Sequence, residues 1–64
     1  MEGMFKKFEG RRIYVSLKSN RVYSGICKEV ADVGNGLIFI SIIDKFGKWV
    51  TFTVGEIVEL KEEA

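Results

Sequence analysis

The sequence predicts a small all-β domain in which a short N-terminal helix precedes five antiparallel strands that form a strongly bent barrel. From Ile13 onward, apolar residues alternate with polar ones, which is the period of a half-buried strand. Turns rich in Gly, Asn and Asp divide the chain into five such runs. Five strands in about 50 residues, with Gly25 in the middle of the second, favour a closed barrel, since closure removes exposed edges.

The N-terminal helix is predicted over residues 1–9. Met4 and Phe8 are four positions apart and Phe5 lies beside them, so one side of the helix is apolar. A helix this short does not hold in isolation, so its apolar side is expected to lie on the body of the domain. Gly10 is expected to end it.

The strands follow in order within a single domain that spans residues 1–64. The barrel is predicted over residues 12–60, with strands at 13–17, 21–30, 37–43, 49–54 and 57–60, and with residues 61–64 as a frayed tail. Gly25 is expected to mark a bulge or a sharp bend. Asn35 and Gly36 predict a hairpin turn, because both tolerate positive φ. The third strand is apolar on both faces, which predicts burial on both sides or a place at an interface.

The composition excludes several classes of function. The chain has no His, no Pro and one Cys, Cys27, and its longest apolar run is about four residues. These counts argue against the usual zinc sites, a disulfide framework, His-based catalysis and a membrane span. We therefore expect a cytoplasmic, non-enzymatic binding domain without cofactor or metal, in which Cys27 is a small apolar strand residue.

Charge is divided unevenly along the chain. Residues 1–28 carry seven basic and two acidic side chains, a net charge of +5, and residues 29–64 carry three and seven, a net charge of −4. A basic half of this kind favours contact with phosphate. The candidate residues for contact with phosphate are Lys6, Lys7, Arg11 and Arg12. The alternative is ordinary solvated charge, with the two halves interleaved in space.

A chain of this size is marginally stable on its own. The apolar area buried on folding, taken from area scaling and converted at ~25 cal/mol/Å², stabilises the folded chain by on the order of 95 kcal/mol. The loss of conformational entropy, at ~1.5 kcal/mol per residue, costs about the same. Association of several copies is the obvious further source of buried area.

Short segments of the chain follow the order and spacing of a known family. They are Gly10–Leu17, Asn20–Ile26, the pair Asp32 and Asn35, Asp44–Gly47 and Thr53–Ile57. Together they resemble the Sm and Sm-like (LSm) proteins over almost the whole chain. The resemblance implies an SH3-like (Sm-type) barrel and a homo-oligomeric ring of five to eight subunits, in which the fourth strand of one subunit pairs with the fifth of its neighbour.

The resemblance also implies binding of single-stranded RNA, with a preference for uridine-rich sequences, by an RNA chaperone or a scaffold for RNA processing. In that family Asn hydrogen-bonds the base and Asp supports the Asn, roles that would fall to Asn35 and Asp32. A second loop of the family's nucleotide pocket contains a glycine, and Gly55 stands at the matching position. Lys6, Lys7, Arg11 and Arg12 would form a basic face on the helix side of the ring.

Two positions depart from the family pattern. No aromatic, His or Met lies between Asp32 and Asn35 to stack on a base, and Val54 stands before Gly55 where the family has Arg. Stacking contributes about 1–3 kcal/mol and a charged donor about 1.5–3 kcal/mol, so each pocket is expected to bind weakly. Repetition around a ring would restore part of that affinity.

Alternatives stay open for the same residues. Asn35 is also explained as a turn residue. Tyr14 and Tyr23 either stack bases or cover strand surface. Phe46 and Trp49 are expected either in the core or at a subunit interface. The second functional hypothesis is a protein-interaction or assembly module without a working nucleotide pocket. A third, a DNA-coating protein, is disfavoured by the near-neutral charge balance.

Overall fold

The computed structural model describes residues 3–63, which form one short helix and a five-stranded antiparallel sheet. The elements are α1 Gly3–Lys6, β1 Arg12–Leu17, β2 Val22–Asp32, β3 Ile38–Asp44, β4 Trp49–Thr53, a 3-10 turn at Val54–Glu56 and β5 Ile57–Glu62. Their order in the sheet is β4-β3-β2-β1-β5, so β4 and β5 are its two edges. The predicted all-β fold with a small N-terminal helix is confirmed, and closure into an SH3-like barrel stays a prediction.

The core lies on one face of the sheet, as strand alternation requires. In β1 the buried residues Ile13, Val15 and Leu17 alternate with half-buried Tyr14 and Ser16. All the buried side chains of the cluster are apolar: Ile13, Val15, Leu17, Cys27, Val30, Ile38, Ile40, Ile42 and Phe52. Cys27 is therefore the small core residue that the sequence predicts.

The third strand is apolar on both faces, but only one face is fully buried. The side chains of Phe39, Ser41 and Ile43 on its outer face are half-buried. Ile43 lies between Ile26 of β2 and Trp49 of β4 in the strand register. These three residues, Ile26, Ile43 and Trp49, form a cross-strand line that we call the outer apolar row.

Gly25 does not form a bulge, which was one of the two features expected of it, and the other, a sharp bend, stays a prediction. It pairs regularly with Ile13 and Asp44, and the irregularity in β2 lies between Cys27 and Glu29. A Cβ on Gly25 would clash with the carbonyl oxygen of Ile43 and lie 2.8 Å from its carbonyl carbon. The residue is glycine because the backbone of β3 approaches it closely.

The helix is shorter than the predicted segment 1–9. It covers Gly3–Lys6, and residues 7–10 continue as a turn. Met1 and Glu2 lie outside the described residues. Phe5 and Phe8 pack against the core as expected, whereas Met4, the third residue of the predicted apolar side, is 63% exposed. Within the described residues, no helix is long and apolar enough to cross a membrane.

Side chains of the N-terminal segment complete the hydrogen bonding of β2. Strand pairing of β1 with β2 ends at Arg12 and Ile26, and Cys27 still exchanges backbone hydrogen bonds with Gly10 and Arg11. Beyond Cys27, no described strand pairs with β2 on that side. The Lys6 ammonium donates to the carbonyl of Val30 at 3.2 Å, and the Val30 N–H donates to the Glu9 carboxylate at 2.8 Å. Two side chains thus take the place of a neighbouring strand.

The C-terminal residues are ordered by pairing, which corrects the prediction of a frayed tail at 61–64. Strand β5 continues to Glu62, and the N–H of Glu63 donates to the carbonyl of Arg12 at 2.8 Å. The Ser24 hydroxyl also donates to the Glu63 carboxylate at 2.5 Å. Ala64 lies outside the described residues.

Candidate nucleic-acid interface

The turn between β2 and β3 presents the first predicted site residue, Asn35. Asn35 has φ +57° and Gly36 has φ +76°, and the N–H of Leu37 donates to the carbonyl of Gly34 at 3.0 Å. Two successive positive φ values within a four-residue turn define a type I′ hairpin. The predicted turn is confirmed, and Asn35 is exposed.

Asp32 shapes this turn. Its carboxylate accepts a hydrogen bond from the N–H of Gly34 at 2.9 Å, which is the local Asx arrangement that stabilises many turns. Among the described residues, the side-chain hydrogen bond of Asp32 is therefore to the backbone and not to the amide of Asn35. The resemblance implies that the Asp32 side chain supports the Asn35 side chain, and that contact is absent from this turn.

Gly55 lies at the same end of the sheet as this turn. It is the central residue of the 3-10 turn that follows Thr53, and Thr53 pairs with Phe39 near the start of β3. The turn is held by Glu56, whose carboxylate accepts hydrogen bonds from the N–H of Thr53 at 3.0 Å and from its hydroxyl at 2.8 Å. These hydrogen bonds lower the pKa of Glu56. The register thus brings the two predicted loops to one end.

The four predicted basic residues divide into two pairs. Lys6 lies 3.2 Å from the Glu9 carboxylate, and Arg11 lies 3.1 Å from the carboxylate of Glu62. Lys7 and Arg12 are exposed, and neither forms an ion pair within residues 3–63. Of these four residues, Lys7 and Arg12 are therefore the two whose charge no carboxylate of residues 3–63 pairs with.

Glu9 connects the basic segment to the fold. Its pKa is lowered, first by the hydrogen bond from the Val30 N–H and second by the one from Lys6. Lys6 is held at the same place by its bond to the Val30 carbonyl. Lys6 thus has a structural role in docking the N-terminal segment, which the sequence does not reveal.

A cleft of about 360 Å³ lies between the first residues of β1 and β2 and the β3–β4 turn. Sequence reasoning missed it, because its walls come from three separate segments. It is lined by Arg12, Tyr14, Val22, Tyr23, Ser24, Asp44, Lys45 and Phe46. The one signal in the sequence was the pair of tyrosines, Tyr14 and Tyr23, which are half-buried here.

Phe46 and Trp49 are exposed, which corrects the expectation of a core position for either. Phe46 is 82% exposed at the tip of the β3–β4 turn, and Trp49 is 60% exposed at the start of β4. Neither has enough neighbours in the single chain to cover it. The other expectation, a place at a subunit interface, stays a prediction.

Neither a metal centre nor a family assignment adds to this description. No group of three or more His, Cys, Asp or Glu side chains in residues 3–63 is placed to hold a metal ion. No protein-family model, curated protein or solved structure matches the chain.

Proposed function

We propose that this chain is a non-enzymatic, Sm-like protein of the cytoplasm that assembles into a ring and binds single-stranded RNA. Its role would be that of an RNA chaperone or a scaffold for RNA processing. The observation that carries the proposal is the strand order, which leaves β4 and β5 as the two edges of the sheet. These are the two strands that pair between neighbouring subunits in the family that the sequence resembles.

The chemistry of the two edges supports such an assembly. An edge strand presents unpaired N–H and C=O groups, which a neighbouring subunit satisfies by adding its own strand. Each edge also carries a large exposed apolar residue, Trp49 on β4 and Val58 on β5, exposed by 60% and 66%. Val58 is the extra residue where the register with β1 shifts between Ile57 and Glu59. Pairing between copies would cover both.

The RNA part of the proposal depends on the exposed turn and the available cations. Asn35 offers an exposed amide on the β2–β3 turn, and Lys7 and Arg12 offer charge free of ion pairs among residues 3–63. A single copy would bind weakly, because phosphate contacts of this kind are screened by salt and the pocket has no stacking side chain. A ring repeats each contact and raises the overall affinity through effective concentration.

The edges can be tested with two matched valine variants. Val58 and Val33 are similarly exposed, by 66% and 59%, but Val58 lies on β5 and Val33 lies in the β2–β3 turn. We expect Val58→Lys to reduce the oligomer to smaller species in light scattering, while Val33→Lys keeps the size of the parent protein. A parent protein that is monomeric at micromolar concentration would contradict the proposed ring.

The RNA claim is tested by titrating a uridine-rich single strand at several salt concentrations. Replacing Lys7 and Arg12 together by Gln is expected to lower the slope of log affinity against log salt by about two for each subunit that contacts the strand. No binding below high micromolar RNA at low salt would refute the claim.

A protein-assembly module is the second candidate, and the outer apolar row favours it. Ile26, Ile43 and Trp49 line up across three strands on the face away from the core. Changing Lys7 and Arg12 to Glu separates the two candidates. Loss of the bound partner after this change indicates an electrostatic ligand, whereas retention indicates an apolar contact.

A further inference from the structure

We propose that the cleft between the first residues of β1 and β2 and the β3–β4 turn binds one nucleotide of a single-stranded nucleic acid. The base would stack on Phe46, and the phosphate would lie between Arg12 and Lys45. The inference rests on the proposed function in taking RNA as the ligand, and it adds a second site that shares Arg12 with the proposed basic surface.

The cleft has the size and the position of a separate site. Its volume of about 360 Å³ is at the lower end of the ~300–1,000 Å³ range of small-ligand sites, which suits a single nucleotide. It lies where β3 ends, at Asp44, whereas the Asn35 turn lies before β3 begins, at Ile38. Seven residues of strand separate the two ends, about 20 Å at ~3.3 Å per residue.

Phe46 is placed as a stacking platform. At 82% exposure it contributes little to the fold, and an exposed large apolar side chain at a turn calls for another explanation. The Lys45 ammonium lies 5.4 Å from the centroid of the Phe46 ring. A cation and an aromatic face side by side match the phosphate and the base of one nucleotide.

The turn that carries both residues is held by hydrogen bonds to Asp44. The Asp44 carboxylate accepts hydrogen bonds from the N–H groups of Phe46 and Lys48, each at 2.9 Å. The N–H of Gly47 also donates to the Asp44 carbonyl at 2.9 Å. This preorganisation lowers the entropic cost of binding.

The tyrosines supply a polar and aromatic wall with further cations beside it. The Lys61 ammonium lies 5.3 Å from the ring centroid of Tyr14, and Arg21 donates to the Tyr23 hydroxyl at 3.4 Å. Both cations are exposed. Arg21, which forms no ion pair within residues 3–63, adds positive charge beside the cleft, whereas Lys61 is paired with Glu59.

The acidic groups near the cleft are already engaged. Asp44 is occupied by the turn N–H groups, and Glu63 accepts from the hydroxyl of Ser24. Glu59 lies 3.8 Å from Lys61 in an exposed ion pair. Arg12 and Lys45, by contrast, form no ion pair within residues 3–63, and together with Asp44 they give the lining a net charge of +1, which favours an anion.

The stacking role is tested by Phe46→Leu, measured by fluorescence anisotropy with a labelled single-stranded RNA. Leu keeps an apolar side chain of moderate size but removes the ring. We expect affinity to fall about 5- to 150-fold, the range measured for loss of one stacked base. Phe46→Trp is expected to retain the affinity of the parent protein, because it keeps an aromatic face.

The charge role is tested by two lysines of the same turn. Lys45 lines the cleft and Lys48 does not. Lys45→Gln is expected to weaken binding and to lower the salt slope by about one per occupied subunit, while Lys48→Gln leaves both close to the parent values. Irradiation of a bound strand that carries 4-thiouridine is expected to crosslink to the segment 44–46.

The outcomes separate this inference from the proposed function. If the parent protein binds RNA and the Phe46 and Lys45 variants bind equally well, the cleft is refuted and the proposed function stands. Equal affinity for a duplex of the same sequence would also refute stacking in the cleft. If the parent protein binds no RNA, the proposed function fails and the cleft assignment fails with it.

Discussion

Replacing Gly25 by Ala is expected to destabilise the protein severely, because the backbone of β3 leaves no room for a Cβ at this residue. The added Cβ would clash with the carbonyl oxygen of Ile43 and would lie 2.8 Å from its carbonyl carbon and 2.9 Å from the Cα of Asp44. Ordinary contact begins near 3.4 Å. All three neighbours are backbone atoms, so no side chain can rotate away and β2 must move from β3.

The cost follows from this geometry. Overpacking of a buried site costs about 1–3 kcal/mol, and a clash against backbone belongs at the upper end of that range. At 0.05–0.15 kcal/mol per residue, a domain of this size has about 3–10 kcal/mol of stability in total. A loss of about 3 kcal/mol lowers the melting temperature by roughly 12–24 °C for a domain of this length.

Thermal unfolding followed by circular dichroism at one fixed protein concentration measures the effect. Gly55→Ala is the matched control, since its Cβ would meet no atom within 4 Å and its φ lies outside the left-handed region. The control should melt at the parent temperature or a few degrees higher, because Ala reduces the freedom of the unfolded chain. If the Gly25 and Gly55 variants melt together, the close approach of β2 and β3 is refuted.

Three further predictions concern single residues. Hydrogen bonds from Val30 and Lys6 lower the pKa of Glu9 in the folded protein. The stability that the charged Glu9 carboxylate contributes is therefore present above the ordinary carboxyl pKa of about 4.3 and is lost as pH falls through the lowered value. Glu9→Gln should make the free energy of unfolding less dependent on pH in this acid range. Burial raises the pKa of the Cys27 thiol, so its labelling by a disulfide reagent should be slow in native protein and rapid in denaturant, and fast native labelling would contradict its core position. Asn35→Gly should leave the melting temperature unchanged because glycine also adopts φ +57°, while RNA affinity should fall if the amide binds a base.

Much of the fold is predictable from the sequence because the signals are local. Alternation in β1 places Ile13 and Val15 in the core, and the Asn35-Gly36 pair requires positive φ whatever surrounds it. Tertiary contacts decided the rest. Gly25 carries no local sign that its neighbour is a backbone carbonyl, so a bulge was the natural interpretation.

The ends of the chain show the same limit. The sequence near residues 61–63 is charged and suggests a solvated tail, yet β5 continues to Glu62 and the N–H of Glu63 donates to the carbonyl of Arg12. The segment at residues 7–10 has helical spacing but forms a turn, since Glu9 is directed to the Val30 N–H. Both outcomes depend on residues more than twenty positions away.

The candidate site was predictable in part. Asn35 and Gly55 lie in exposed turns at one end of the sheet, and of the four predicted basic residues Lys7 and Arg12 form no ion pair within residues 3–63. Asp32 stabilises its own turn, which is a local role. The resemblance implied a different role for it, the support of Asn35. The cleft could not be predicted, because only the folded sheet brings its three segments together.

Native mass spectrometry of the pure protein, with and without a short uridine oligomer, tests the central claim most directly. The account predicts one closed species of five to eight subunits that takes up the oligomer. A monomer or dimer at micromolar concentration would contradict the ring, and a ring that ignores the oligomer would contradict the assignment to RNA.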